Sequence, residues 1–239
     1  MWIHSPFVYD FCTQVLPRRR EAAFGEIEQL RSELANSAEV LDIEDFGAGG
    51  SQLRFKQVKV SHLVRRAACT PRTGALLYRI CAHYQPQTCI EFGSNLGIST
   101  LYQAKALPNA TFLSMEGSAA LAEKARAHLA RCSVQARVIT GEFSTSLEQL
   151  DLAALRPDYA FIDGNHRYAP TLAYFHRLLP HMPDKSILIF DDIHWSTEME
   201  RAWLEITAHP EVSVSIDLYQ IGVCCIRRPQ AKEHFVLRQ

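Results

Sequence analysis

The sequence predicts an α/β fold with a mostly parallel central sheet, preceded by a helical segment. Short apolar runs alternate with amphipathic stretches from about residue 85 onward, which is the pattern of successive β-α units. A turn bounded by Gly93 and Gly97 follows the first apolar run, and acidic residues stand at the ends of most of the runs. Because open α/β sheets bind ligands at the carboxyl ends of their strands, these acids also indicate where a functional site lies.

Residues 1–65 are predicted to form a helical cap or extension, and residues 66–239 the main domain. Within the extension, an apolar stripe marks one helix face; it consists of Phe24, Ile27, Leu30 and Leu34. The glycine-rich stretch 45–51 has no convincing buried strand before it, so it is predicted to be a loop and not a ligand-binding turn. Thr70-Pro71 predicts a helix start, since threonine caps helices and proline is tolerated at the first helical position.

Five strands and the helices between them are predicted after residue 85. The strands are 88–92, 111–115, 137–140, 159–162 and 187–190, and the helices are 98–106, 118–131, about 145–150 and 170–179. After a helix at 197–208, two apolar runs, 212–218 and 222–226, are separated by three residues. This gap is too short for a parallel crossover, so the pair is predicted to be an antiparallel hairpin. The predicted sheet therefore has seven strands.

The composition is that of a globular protein with a sizeable core. The chain has 239 residues, of which 47% are hydrophobic and 21% charged. A formal net charge of −1 gives no general attraction to nucleic acid or anionic membranes, so neither is expected as a partner. The sequence has no apolar run of about 20 residues and no signal-peptide pattern. Seven scattered cysteines favour a reducing, cytoplasmic setting; a homodimer stays open.

The turn between Gly93 and Gly97 limits the kind of nucleotide that this fold would bind. A dinucleotide-binding turn reads G-x-G-x-x-G, and here Asn95 stands in place of the middle glycine. No Gly-Lys-Ser/Thr follows, so a phosphate-cradling loop is not predicted either. Glu116 follows Glu91 by about 25 residues, near the spacing at which a carboxylate binds a ribose diol. A ribose-binding acid without a phosphate grip suits a nucleoside such as S-adenosylmethionine (SAM).

The pattern E-x-G-x-x-x-G, followed by a strand that ends in Glu116, resembles class I SAM-dependent methyltransferases. The resemblance implies their Rossmann-like seven-stranded sheet and SAM as cofactor. Ser99 would then bind the methionine carboxylate near a helix N-terminus. Glu116 would take the ribose hydroxyls, and Glu142 and Phe143 would flank the adenine. The full predicted cofactor-binding set is Glu91, Gly93, Ser94, Asn95, Gly97, Ser99, Glu116, Gly117, Gly141, Glu142, Phe143 and Asp163.

A second pair of motifs, residues 160–168 and residues 189–192, resembles the small-molecule O-methyltransferases of the catechol and caffeoyl-CoA type. In that family, acids at these positions hold a divalent metal, usually Mg²⁺, and they map onto Asp163, Asp191 and Asp192. Carboxylates are the hard oxygen ligands that Mg²⁺ prefers. The family's general base is a lysine three residues after the first metal-binding Asp. His166 stands there instead; a histidine with a pKa of about 6.5 can also accept a hydroxyl proton. Asp163 and His166 are the predicted catalytic residues.

The resemblance implies a SAM-dependent O-methyltransferase that acts on a hydroxyl of a small molecule. The identity of the acceptor, and oxygen rather than nitrogen as its target atom, stay open. An NAD(P)-binding Rossmann oxidoreductase is the first alternative, and Asn95 argues against it. A non-catalytic SAM-binding or interaction protein is the second.

Overall fold

The computed structural model describes residues 5–17, 21–45 and 54–238. The chain divides into two compact units: residues 1–85 with 93–146, and residues 86–92 with 147–239. Residues 46–51 of the glycine-rich stretch predicted as a loop lie outside the described residues. The predicted boundary between the N-terminal extension and the main domain, near residue 65, stays a prediction.

The first unit opens with helices, as the sequence predicts. They are α1 (Pro6–Asp10), which continues as a π-helical turn over Phe11–Val15, α2 (Phe24–Ala35), α3 (Val60–Arg66) and α4 (Pro71–Tyr84). The Thr70 side chain accepts a hydrogen bond from the Thr73 backbone nitrogen, and Pro71 takes the first helical position. Both features suit a helix start, so the predicted start of α4 is confirmed.

A β-hairpin that the sequence analysis did not predict lies within the first unit. Its strands are β1 (Val40–Asp45) and β2 (Arg54–Lys59), and they pair antiparallel with Leu41 opposite Val58. Leu41 is buried in the core that α2, α5 (Ile98–Lys105) and α6 (Ala119–Arg131) share. The hairpin is therefore packed into the first unit through its apolar face.

The rest of the first unit alternates strand and helix. It contains α5, β4 (Thr111–Glu116), α6, β5 (Arg137–Thr140) and α7 (Phe143–Glu148). Strands β4 and β5 pair in parallel, with Glu116 opposite Thr140 at their carboxyl ends. The last residue of β4 and the segment after β5 are thus brought to the same edge, as expected for neighbouring parallel strands.

The second unit holds six strands in the order β10-β8-β9-β7-β6-β3. Its elements are β3 (Thr88–Phe92), α8 (Leu152–Leu155), β6 (Tyr159–Ile162), α9 (Tyr168–Leu178), a 3₁₀ turn (Leu179–His181), β7 (Ile187–Phe190), α10 (Thr197–Ala208), β8 (Val214–Asp217), β9 (Gly222–Cys225) and β10 (Glu233–Val236). Strands β3, β6 and β7 are parallel, while β9 runs antiparallel to both β7 and β8. The predicted terminal hairpin is confirmed.

Within the described residues, the main sheet has eight strands, and most of its pairs are parallel. The predicted fold class is confirmed, with one strand more than the seven expected. The addition is β10, a short edge strand that pairs in parallel with β8. Among the described residues, no helix is long and apolar enough to cross a membrane.

Candidate active site

The turn between Gly93 and Gly97 is fastened to the last residues of β4. The backbone nitrogens of Gly93 and Ser94 both donate to the Met115 carbonyl oxygen, at 2.9 and 3.0 Å. Gly97 has φ +78°, and a Cβ atom there would lie 3.1 Å from the Ala125 Cα atom. Glycine is therefore required at position 97 both by its left-handed backbone and by the close approach of α6.

Glu116 ends β4 and is held by two backbone donors. Its Oε2 atom accepts a hydrogen bond from the Asn95 nitrogen at 2.7 Å, and its Oε1 atom accepts one from the Ser118 nitrogen at 3.0 Å. The side chain is only 8% exposed. A carboxylate oxygen accepts more than one hydrogen bond, so these contacts orient Glu116 and leave it chemically able to bind a diol. The Asn95 N–H group is thereby engaged in a hydrogen bond to Glu116.

The other predicted residues of the first unit lie around the same turns. Gly141 follows β5 with φ +144°, and its nitrogen donates to the Glu116 carbonyl oxygen at 2.9 Å. Glu142 caps α7, because its Oε2 atom accepts from the Thr145 nitrogen at 2.9 Å. Burial raises the pKa of Glu142, but hydrogen bonds from Thr145 and Ser144 lower it more, to below its ordinary value. The Glu142 carboxylate is therefore already hydrogen-bonded to the first turn of α7.

Ser94 and Ser99 are both buried in the first unit. The Ser94 hydroxyl is hydrogen-bonded to the Ser114 hydroxyl of β4. Ser99 lies in the first turn of α5, where a hydroxyl can meet an anion near the helix N-terminus. Gly117 and Phe143 each directly follow a predicted acid, Glu116 and Glu142 respectively. The structure thus places these residues on the loops next to β4 and β5.

In the second unit, predicted residues converge after β6 and β7. The Asp163 nitrogen donates to the Phe92 carbonyl oxygen, and the Asp191 nitrogen donates to the Ile162 carbonyl oxygen, both at 3.0 Å. Continuing the sheet's hydrogen bonds past the strand ends in this way fixes both acids at the carboxyl edge. His166 lies between two of the acids, with Nε2 3.4 Å from Asp163 Oδ1 and Nδ1 3.9 Å from Asp192 Oδ2. We call Asp163, His166, Asp191 and Asp192 the acidic cluster.

The charges of the acidic cluster shift the pKa values of its members. Burial lowers the pKa of His166, but the hydrogen bond to Asp163 and the negative charges around it raise the pKa more, to above its ordinary value. Burial and repulsion from Asp163 and Asp192 raise the pKa of Asp191 to about 8. The Asp191 Oδ1 atom is buried without a hydrogen-bond partner among the described residues. The cluster therefore favours a positive charge or a proton.

Residues 90–193 match the profile of a family described as a methyltransferase domain. This part of the chain is therefore similar to methyltransferase domains. No curated protein matches the sequence significantly, but solved structures share the fold over nearly the whole chain. The O-methyltransferase from Bacillus cereus in complex with SAH (S-adenosylhomocysteine) is 18% identical, with 91% of this chain and 96% of that chain covered and a TM-score of 0.62.

Two further methyltransferases have the same fold at low sequence identity. TomG, an O-methyltransferase from Streptomyces achromogenes involved in tomaymycin synthesis and solved with SAM, is 18% identical, with 92% and 95% coverage and a TM-score of 0.63. The SAH-bound Podospora anserina methyltransferase PaMTH1 is 11% identical, with 95% and 98% coverage and a TM-score of 0.64. The predicted family resemblance is confirmed, and the match ends just past the acidic cluster.

The predicted magnesium ligands follow the carboxyl ends of β6 and β7. Asp163, Asp191 and Asp192 have the right donor chemistry for a hard cation. Within residues 5–17, 21–45 and 54–238, however, no three or more His, Cys, Asp or Glu side chains are grouped so that they could hold a metal ion. The described structure therefore gives the predicted magnesium site no support.

Two positioning contacts in the second unit were not predicted. Asn165 has φ +63° and donates from Nδ2 to the Tyr174 hydroxyl at 2.9 Å, which fixes the turn that carries His166. His194 contacts Asp217 through Nε2 at 2.8 Å and stacks on Tyr219. Asp217 ends β8, so the rule that selected the other acids at strand ends would also have selected it.

Glu91, which was predicted, is fully buried in β3.

Proposed function

We propose that this protein is a SAM-dependent methyltransferase that transfers a methyl group to a hydroxyl oxygen of a small molecule. The observation that carries the proposal is the doubly oriented Glu116 carboxylate, whose partners come from the glycine turn and from the start of α6. In this proposal its two oxygens accept hydrogen bonds from the two ribose hydroxyls of SAM. Two solved structures with a similar fold contain SAH or SAM, which supports SAM as the cofactor.

Asn95 separates this proposal from the NAD(P)-linked alternative. In a dinucleotide-binding turn, a glycine at this position lets the pyrophosphate approach the backbone. Here the Asn95 nitrogen already donates to Glu116, and its side chain amide donates to the Ala67 carbonyl oxygen at 3.3 Å. A pyrophosphate would have to displace both contacts, whereas a sulfonium nucleoside brings no phosphate to this turn.

His166 is the proposed general base. SAM, when bound, would supply the electrophilic methyl group, and one imidazole nitrogen of His166 would take the proton that the acceptor hydroxyl loses as its oxygen is methylated. Asp163, whose Oδ1 atom lies 3.4 Å from the His166 ring, orients the imidazole and stabilises the imidazolium that forms. A base whose pKa lies near the working pH is effective in such a step.

No step of this mechanism uses a metal. Magnesium stays a separate prediction, which chelation tests directly: turnover that is lost in EDTA and restored by Mg²⁺ would support it, and turnover unaffected by EDTA would remove it.

The cytoplasm is the proposed location, because none of the seven cysteines, all of which the structure describes, forms a disulfide.

Calorimetry with SAM, SAH and NAD tests the proposed cofactor. We expect SAM and SAH to bind and NAD not to bind, and NAD binding without SAM binding would overturn the proposal. Turnover of methyl-labelled SAM with a library of hydroxylated small molecules then tests catalysis. Binding of SAM without turnover of any acceptor would favour a non-catalytic SAM-binding protein.

A further inference from the structure

Helix α6 begins directly after Glu116 and Gly117, but it lacks a cap of its own. The Ser118 side chain, at the capping position, makes no hydrogen bond to the first turn of this fully described helix, and that turn contains no acidic residue. The first N–H groups of a helix have no partner within the helix, and a capping side chain normally satisfies one of them. Another part of the chain must supply the cap.

Glu44 of β1 supplies it. Its Oε2 atom accepts a hydrogen bond from the Ala119 nitrogen at 3.0 Å, and its own backbone nitrogen donates to the Ser118 hydroxyl at 3.3 Å. The first contact satisfies an N–H group of the first turn and places a negative charge at the positive end of the helix. The second holds the Ser118 hydroxyl against the backbone of β1. Together the two contacts fix the backbone at Ser118.

The fixed backbone at Ser118 leads directly to Glu116. The Ser118 nitrogen donates to Glu116 Oε1, and the Asn95 nitrogen donates to Glu116 Oε2. The N-terminal part of the chain touches this second donor as well, because the Asn95 side chain donates to the carbonyl oxygen of Ala67, just after α3. Residues before α4 therefore hold both loops that orient the Glu116 carboxylate.

We infer that Glu44 is a positioning residue for SAM, acting through α6 and Ser118 on the carboxylate proposed to bind the ribose. The inference rests on the proposed function. It assigns to the N-terminal segment a part in the cofactor site. Removal of the Glu44 side chain releases the start of α6, lets the Ser118 N–H leave Glu116, and weakens SAM binding.

The test compares SAH affinity by calorimetry in the full-length wild type and in E44A, E44Q and E39Q. Glu39 is the matched control, because it also joins the N-terminal segment to α6, through Lys124 at 2.6 Å, and has no contact with Ser118 in the described structure. We expect about five- to tenfold weaker binding for E44A, the loss that follows from removal of a helix cap. E44Q keeps an acceptor oxygen and should remain within about twofold of the wild type, and E39Q should bind as the wild type does.

Further measurements separate positioning from a general loss of stability. The KM for SAM should rise in E44A while kcat at saturating SAM changes little. Wild-type affinity in a folded E44A variant would overturn the inference. If E44A does not fold, S118A decides, since it removes only the hydroxyl contact; we expect two- to fivefold weaker binding, and wild-type affinity would overturn the inference. Failure of the wild type to bind SAM or SAH would instead overturn the proposed function.

Discussion

Replacement of Asp191 by asparagine should stabilise the fold at neutral pH. Asp191 is 8% exposed, and its Oδ1 atom has no hydrogen-bond partner among the described residues. Burial and the charges of Asp163 and Asp192 raise its pKa from 3.8 to about 8, although His166 partly opposes the shift. The folded state thus disfavours an ionised group that the unfolded chain exposes freely to water.

The size of the effect follows from proton linkage. Because the folded pKa of Asp191 is the higher one, the folded state binds more protons between pH 3.8 and about 8, and stability falls as pH rises through this range. One pKa unit corresponds to about 1.36 kcal/mol, so the upper bound on the cost at pH 7 is about 4 kcal/mol. Relaxation and water penetration reduce such costs, and we expect D191N to gain about 1–3 kcal/mol. For a chain of this size, each kcal/mol raises Tm by about 2–4 °C.

Urea and thermal unfolding in the presence of EDTA measure this difference at pH 7 and near pH 4. We expect a stabilised variant at pH 7 and no difference from the wild type near pH 4. D217N is the control: Asp217 is equally buried at a strand end, but it accepts hydrogen bonds from the Tyr219 nitrogen and pairs with His194. Its replacement should cost about 1–3 kcal/mol. A D191N variant no more stable than the wild type at pH 7 would refute the reasoning.

Three predictions concern catalysis and cofactor binding. H166A should lower kcat by about 10²- to 10⁴-fold, the usual contribution of a general base, with unchanged SAH affinity; a wild-type rate would exclude His166 as the base. In the wild type, kcat should fall as pH falls through a value above 6.5, the ordinary histidine pKa, because protonation removes the base, and H166A should lack this limb of the pH profile. E116A should weaken SAH binding by roughly 10- to 100-fold, since hydrogen bonds to a charged group contribute about 1.5–3 kcal/mol. The exposed Glu123 on α6 gives the control E123A, which should bind as the wild type does; equal affinity of both variants would exclude Glu116 as the ribose ligand.

Most of the strands that the sequence predicted are buried on both faces, with the half-exposed β5 as the exception. All four residues of β6 and of β7 are buried, and such strands appear in a sequence as continuous apolar runs. The missed strands are half-exposed. In β1, Leu41 and Ile43 alternate with Asp42 and Glu44. In β10, partly buried residues alternate with exposed ones, and its two apolar residues are adjacent. Two apolar positions in so short a segment do not distinguish a strand from a loop.

The sequence could locate the acids of the site but not their partners. The strand-end rule selected Glu116, Glu142, Asp163 and Asp191 alike, because it depends only on where apolar runs stop. In the structure Glu142 caps its own helix, Asp163 faces His166, and Asp191 has an oxygen without a partner among the described residues. These differences set their pKa values and hence their chemistry.

The partner of α6 shows why such contacts escape sequence analysis. Glu44 and Ala119 are 75 residues apart, and their hydrogen bond exists only because β1 packs its apolar face against the core that contains α6. Local capping rules look for a partner within a few residues, and Ser118 satisfies them by residue type alone. The observed cap depends on tertiary packing instead. A carboxylate at a strand end is therefore a candidate for function, and the groups that hold it decide whether it binds a ribose, caps a helix or accepts a proton.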